Sequence, residues 1–245
     1  MIEHSKIKEA EHFDYLVTNK GISWWGHQTE AGKQRLIRRA NLIADYLGSG
    51  GQLKILEIGC GIGDLTKYLP PVLPSAQIAA IDISGESIRF AEKTLALPNV
   101  VFAVADVGGL PFLDQSFDAV VGNSILHHID MEKTFREIRR VLKRGGKIFF
   151  SEPNMLNPEI FLERNIRFFG RWLLNSPEET AFLRWKLAKF LRRQDFSDVE
   201  VLPYDFLHPI VPQFLIKIVS GLGLALEKIP VLREASGSLI IRARY

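Results

Sequence analysis

The chain has 245 residues, 47% hydrophobic and 24% charged, a profile that fits one large soluble domain. A formal net charge of +3, with basic residues spread along the chain, argues against a nucleic-acid footprint, and the clusters "RLIRR" (Arg35 to Arg39) and "REIRRVLKR" (Arg136 to Arg144) read as solvated helix faces. The single cysteine, Cys60, excludes an internal disulfide, the polar start "MIEHSKIKEAEHF" is not a signal peptide, and "FLIKIVSGLGLAL" (Phe214 to Leu226) is too short to span a bilayer; a cytoplasmic protein is expected.

Along the chain, short apolar runs alternate with helix-like segments. "KILEI" (Lys54 to Ile58) is the first strand, and it ends in glycines at 59, 61 and 63, with an amphipathic segment reading as a helix start. "QIAAID" (Gln77 to Asp82) follows, then "SGESIRFAEKTLAL", a helix with Ser84 as its N-cap. "VVFAVAD" (Val100 to Asp106) and "FDAVVGN" (Phe117 to Asn123) are two further strands. "DMEKTFREIRRVLKRGG" is a helix capped by Asp130 and closed by Gly145–Gly146, and "KIFFSE" (Lys147 to Glu152) is the fifth strand. Nearly unbroken apolar strands suit a parallel sheet covered on both faces, so the order predicts an α/β, doubly wound fold.

The glycine turn can be weighed as a binding site. The nicotinamide fingerprint G-x-G-x-x-G would need a third glycine where Asp64 stands. Glu57 and Asp64 flank the turn, and a pyrophosphate would meet two like charges there. A cationic ligand suits the turn better, and S-adenosyl-L-methionine carries a sulfonium, an ammonium and one carboxylate. Asp82 can take both ribose hydroxyls, a task shared with nicotinamide enzymes. Asp106 can meet the adenine amine with the Val107 amide beside it, or it can simply cap the turn before "GGLPF".

Four motifs in order, "LEIGCGIGD", "AIDIS", "ADVGGLPF" and "FDAVVGNSILHHI", followed by "VLKRGGKIFFSEPN", make the stretch from Lys54 to Glu152 resemble the class I S-adenosylmethionine-dependent methyltransferases. Within them it resembles the small-molecule group that includes the ubiquinone and menaquinone methyltransferases. The resemblance implies a Rossmann-like, mostly parallel seven-stranded sheet with an antiparallel seventh strand. "VEVLPY" (Val199 to Tyr204) and "SLIIRARY" (Ser238 to Tyr245) would supply the last two strands. It implies cofactor contacts from Glu57, Gly59, Cys60, Gly61 and Gly63 at the turn, Asp82 and Ile83 at the ribose and adenine, Asp106 and Val107 at the adenine edge, and Asn123 at the ammonium. It also implies one methyltransferase domain over 1–245: an N-terminal helical cover at 1–50, a cofactor-binding core at 51–152, and helical lid or substrate segments at 153–198 and 206–230.

The acceptor side rests on fewer residues. Trp24, Trp25 and His27 in "SWWGHQT" either cap the core or shape the acceptor pocket, aromatic rings being able to surround a sulfonium. His128, and after it His127, is the base candidate beyond the fourth strand; the other reading has "LHHI" holding its loop through hydrogen bonds. A helix from Glu159 to Leu174 carries Arg164, Arg167 and Arg171, and Ser176, Pro177 and Glu179 form a capping box for the next helix. These helices read as a lid, or as a contact for an amphiphilic acceptor or a membrane surface. No metal-ligand spacing occurs in the sequence. The expected activity is methyl transfer to a small-molecule or lipid-like acceptor. The alternatives are a nicotinamide oxidoreductase, an aminopropyl transferase and a non-catalytic cofactor-binding protein.

Overall fold

Unbroken apolar runs form the parallel half of one sheet in the computed structural model, which describes residues 2–19, 26–48, 50–165 and 181–245, with side chains at 10–19, 26–48, 50–162 and 181–245. Strands β1 (Lys54–Ile58), β2 (Gln77–Asp82), β3 (Val100–Val104), β4 (Phe117–Asn123) and β5 (Leu142–Pro153) are joined by β6 (Ser197–Tyr204) and β7 (Ser238–Arg244) in the order β3-β2-β1-β4-β5-β7-β6. β7 runs antiparallel to both β5 and β6, and the other neighbouring pairs are parallel. Successive strand residues face opposite ways, and the core divides accordingly. Leu56, Ile58, Ile148 and Phe150 join one buried cluster with Phe135 and Ile138, whereas Ile55, Val121 and Phe149 join another with Leu36 and Ile43. By the same alternation, Glu57 and Asn123 point to the second face.

Helices cover both faces: α1 (Ile2–Asn19), α2 (Glu30–Leu47), a short α3 (Leu69–Val72), α4 (Gly85–Thr94), α5 (Met131–Val141), α6 (Pro158–Asn165), α7 (Arg184–Arg193) and α8 (Ile216–Leu226). The caps read from the sequence are present. Ser84 Oγ accepts from Ser87 N at 3.0 Å and Asp130 Oδ1 from Lys133 N at 3.0 Å. No helix among the described residues is long and apolar enough to cross a membrane.

Several expectations need correction. No helix starts at the glycine turn: the chain makes further turns, a single 3₁₀ turn at Thr66–Tyr68 and then α3, whose first turn holds Pro70 and Pro71. β3 stops at Val104, so Asp106 lies in the following loop. Gly145–Gly146 does not close α5, which ends at Val141 with Leu142 N donating to Ile138 O. The glycine pair lies inside β5, where Gly145 (φ +78°) turns the strand so that Gly145 N donates to Tyr245 O at 2.6 Å and Tyr245 N to Gly146 O at 2.9 Å. The stretch from Glu159 is helical as far as Asn165. The Arg164 side chain, Arg167, Arg171 and the box at Ser176, Pro177 and Glu179 lie outside the described residues.

The first basic cluster is not a solvated face, and the second is one only in part, with Arg136 and Arg144 exposed. Arg39, on α2, is 4% exposed. Its Nε donates to Tyr204 Oη at 2.9 Å and its Nη2 faces Asp205 Oδ2 at 3.4 Å. Arg35 Nε donates to Asp205 Oδ2 at 2.7 Å, Arg38 binds Glu227 with both terminal nitrogens, and Ser151 and Tyr204 hydroxyls lie 2.7 Å apart. This network ties the helix before the sheet to the chain after it. Burial opposes ionisation of Asp205, but Arg35 and Arg39 together hold its carboxyl below the ordinary range. On α5, Arg140 donates to Glu137, Asp114 and the carbonyls of Leu110 and Phe112, clamping the loop that follows Asp106.

Candidate functional site

Strand order reverses between β1 and β4, and in open α/β sheets ligands enter the crevice beyond the carboxyl ends at such a point. Buried oxygens without a geometrically formed hydrogen bond among the described residues lie there: Glu57 Oε2 near the end of β1, with the buried Thr66 hydroxyl beside its carboxyl, and Asn123 Oδ1 at the end of β4. Buried polar atoms are normally satisfied, so this pair marks a place for donors from a ligand. Burial and, after it, the charge of Asp82 push the Glu57 carboxyl up to about 8.

The turn between β1 and α3 is shaped by glycines with positive φ. At Gly61 (φ +53°) an added Cβ would meet nothing within 4 Å, so open space faces this residue. At Gly63 (φ +80°) a Cβ would meet Leu95 Cδ1 at 2.3 Å, and close packing against the end of α4 is the need there. The Cys60 side chain is 6% exposed and packs with Ile88, Ala91 and Phe102; burial, with Asp82 and Glu57 nearby, pushes its thiol up, so only its backbone borders the turn.

Asp82 ends β2 and organises the turn from below. Its Oδ2 accepts from Gly61 N at 2.7 Å and its Oδ1 from Ser84 N at 2.9 Å. From α1, Asp14 accepts from Ser84 Oγ at 2.5 Å and Glu86 N at 3.1 Å, docking the N-terminal helix on the start of α4. Ile83 is half-buried beside it. Asp106 Oδ1 accepts from Gly108 N at 2.8 Å, so the turn-capping role is realised; Val107 is half-buried against the main core.

Asp64 is engaged by protein groups. Its Oδ2 lies 3.0 Å from His27 Nδ1, and its Oδ1 accepts from Gln28 Nε2 at 3.1 Å and Lys67 Nζ at 3.0 Å. Burial opposes ionisation of Asp64, yet His27 and Lys67 hold its carboxyl below the usual range. Burial pushes His27 below its ordinary value against the pull of Asp64, whose carboxylate its Nδ1 faces. His27 thus latches the N-terminal turn to the glycine turn. Trp24 and Trp25 lie outside the described residues.

Beyond β4 the two histidines differ. His127 Nδ1 lies 2.7 Å from Glu152 Oε2, and Glu152 Oε1 accepts from Ile125 N and Leu126 N, both at 2.8 Å. Glu152, 1% exposed at the end of β5, therefore holds the whole loop at the mouth of the site. His128 packs edge-on to Phe13 of α1 at 5.5 Å between centroids, with its ring 4.1 Å from that of His127. Glu152 and Asp14 are the residues that sequence reasoning missed. Glu152 had a local signal, an acid closing an apolar strand as Asp82 does, but Asp14 had none. Among the described residues no group of histidine, cysteine and carboxylate side chains is arranged to hold a metal ion.

The residues at this crevice fit a ligand with cationic and hydrogen-bond-donating groups. They do not fit a pyrophosphate. The Gly61 amide, which would serve a phosphate, already donates to a carboxylate, and α3 starts too late and is too short to aim its dipole at the turn.

Comparison with known proteins agrees with this geometry. Residues 56–150 match the family model described as a methyltransferase domain. The chain is 37% identical over 100 residues to a demethylmenaquinone methyltransferase of Thermotoga maritima, covering 40% of this chain and 43% of that protein. It is 26% identical to a ubiquinone/menaquinone biosynthesis C-methyltransferase of Desulfotalea psychrophila, covering 66% and 69% of the two chains. The chain thus spans less than half the length of the first of these relatives. Among solved structures, phosphoethanolamine N-methyltransferase 2 of Haemonchus contortus, in complex with S-adenosylmethionine, superposes with a TM-score of 0.63 at 17% identity, covering 94% of this chain and 59% of that one. Residues 56–150 of this chain, with the acid-lined glycine turn at their start, are thus similar to a methyltransferase domain.

Proposed function

We propose that the protein is an S-adenosylmethionine-dependent methyltransferase acting on a small-molecule or lipid-like acceptor, the whole chain serving one such unit with 1–50 as its cover and 153–198 and 206–230 as its acceptor side. One observation carries the reading: the Gly61 amide is held by the Asp82 carboxylate beside the buried, partly unsatisfied Glu57. The Asp82 charge repels a pyrophosphate, and a cationic ligand gains the Glu57 carboxyl by ionising it. The bound cofactor supplies a methyl group on a sulfonium. Glu57 and Asn123 take its ammonium end, Gly59, Gly61 and the Cys60 backbone lie along its methionine part, and Gly63 sets the turn that presents them. Asp82 takes the ribose diol, Ile83 packs on the adenine, and Asp106 with the Val107 amide reads its edge. The chain's own work is alignment and exclusion of water. His128 faces the acceptor, with His127 fixed behind it by Glu152, and His27 holds the cover closed. The quinone-biosynthesis names of the relatives support a hydrophobic acceptor, and a peripheral membrane contact fits the same chemistry.

Titration calorimetry tests the cofactor. Wild-type protein is expected to bind S-adenosylmethionine and not NAD, and Asp82→Ala to weaken binding by about 1–3 kcal/mol, the range for lost charge-assisted hydrogen bonds. Tight NAD binding with no response to S-adenosylmethionine would sink the proposal. Formation of S-adenosylhomocysteine, screened over prenylated and short-chain acceptors, then tests transfer itself.

A second variant separates binding from folding. Gly61→Ala places a Cβ in open space, so its folding penalty is the left-handed backbone strain alone, about 1–2 kcal/mol. The methyl projects where the ligand backbone runs, so cofactor affinity is expected to fall by more than stability does. Thermal melts with and without cofactor read both; an unchanged affinity would place the ligand elsewhere.

A further inference from the structure

The outer surface of α8 is apolar where a water-facing helix is ordinarily polar. Ile218 and Leu222, four apart on one side of the helix, are 59% and 62% exposed, Phe214 in the turn before it is 80% exposed, and Ile210 and Val231 beyond either end are each 79% exposed. The inner side is narrow, because Gly223 seats the helix on Phe206, where an added Cβ would meet Phe206 Cβ at 3.2 Å. Charge is arranged just as one-sidedly. Glu227 is turned inward to Arg38 and the Asp205 amide, and Glu234 to Arg184. Lys217 and Lys228 stand exposed on and beside the apolar surface, with no ion pair among the described residues.

We propose that this face docks the protein on an anionic lipid bilayer, α8 lying in the interface with its apolar side chains among the acyl chains and its lysines at the headgroups. A second copy of the chain is the poorer occupant: a two-fold pairing through this face would gather the unpaired lysines of both copies in one apolar contact. The face is also joined to the candidate site. Thr29 Oγ1 donates to Pro209 O at 2.8 Å, Gly26 abuts Pro209, and His27 in the same turn is bonded to Asp64. Docking through α8 therefore sets the cover of the site at the lipid surface, deepening the reading of a lipid-like acceptor. The proposal rests on that reading only for its purpose, since vesicle binding and cofactor binding are measured separately.

The test is co-sedimentation of the full chain with vesicles of phosphatidylcholine alone or mixed with phosphatidylglycerol. Wild-type protein is expected to partition onto the mixed vesicles at least ~10-fold better than a Phe214→Ser/Ile218→Ser/Leu222→Ser variant. A Lys217→Glu/Lys228→Glu variant is expected to lose the preference for anionic lipid, a change on the order of 10-fold. Both variants should keep the wild-type melting temperature and S-adenosylmethionine affinity. Equal pelleting of wild type and the serine variant overturns the proposal. So does a wild-type dimer, seen by sedimentation velocity, that the serine variant dissociates while neither binds vesicles. Failure of cofactor binding in the wild type would instead strike the methyltransferase reading and leave this one standing.

Discussion

Glu152→Ala is expected to destabilise the fold by about 3–5 kcal/mol, the range for removing one partner of a buried charged network. The buried carboxylate accepts from Ile125 N and Leu126 N and faces His127. Alanine leaves the buried Leu126 amide, the half-buried Ile125 amide and an imidazole without their partner at once. Glu152→Gln is the informative companion. Its carbonyl oxygen can keep both amides, so it should retain most of the stability, but its NH₂ then faces His127 Nδ1 and reverses the donor role there. Turnover should fall with cofactor affinity unchanged, because the histidine loop lies beyond β4, on the side proposed for the acceptor. Urea denaturation, calorimetry and S-adenosylhomocysteine formation read the three quantities. A loss below about 1 kcal/mol in the alanine variant would mean that the loop is held by packing alone.

The same residue shows where sequence reading reaches and where it stops. Strands were legible because a parallel strand covered on both faces must be apolar throughout, and "KILEI" or "FDAVVGN" has few other uses. The glycine turn, the acid at 82 and the caps at 84 and 130 were legible because each is fixed by neighbours a few residues away. Pairings across the chain leave no such trace. Arg39 and Tyr204 are 165 positions apart, and nothing near "RLIRR" signals that its last arginine is buried. Asp64 and His27 each looked available for chemistry because their mutual bond is equally remote in sequence. Gly145–Gly146 was read as a helix end because the partner that needs its geometry, Tyr245, is at the far end of the chain. Between the two histidines, local spacing favoured His128, whereas only the folded sheet brings Glu152 under His127.

Glu57 makes the site sensitive to pH in a direction opposite to the buried ion pairs. Its carboxyl is raised from an ordinary 4.5 to about 8 by burial and the nearby charge of Asp82. The folded chain therefore holds a proton that the unfolded chain has lost throughout that window. Stability from this group is complete below 4.5 and declines as pH rises towards 8, at up to about 1.4 kcal/mol per pH unit. Asp205 and Asp64, held low by arginine, histidine and lysine partners, lose their contributions only as pH falls below the ordinary carboxyl range, so the two effects occupy different windows. Denaturation of the cofactor-free protein between pH 5 and 8 should show the decline, and the isosteric Glu57→Gln should flatten it. Cofactor binding adds the decisive test. A cationic ligand beside Glu57 favours the ionised carboxylate, so binding at neutral pH is expected to expel a proton, whereas binding well above pH 8 should not. Calorimetry in two buffers of different ionisation enthalpy counts that proton directly. Proton release in wild type that disappears in Glu57→Gln puts the ammonium at Glu57, and identical heats in both buffers at neutral pH would take it away from that residue.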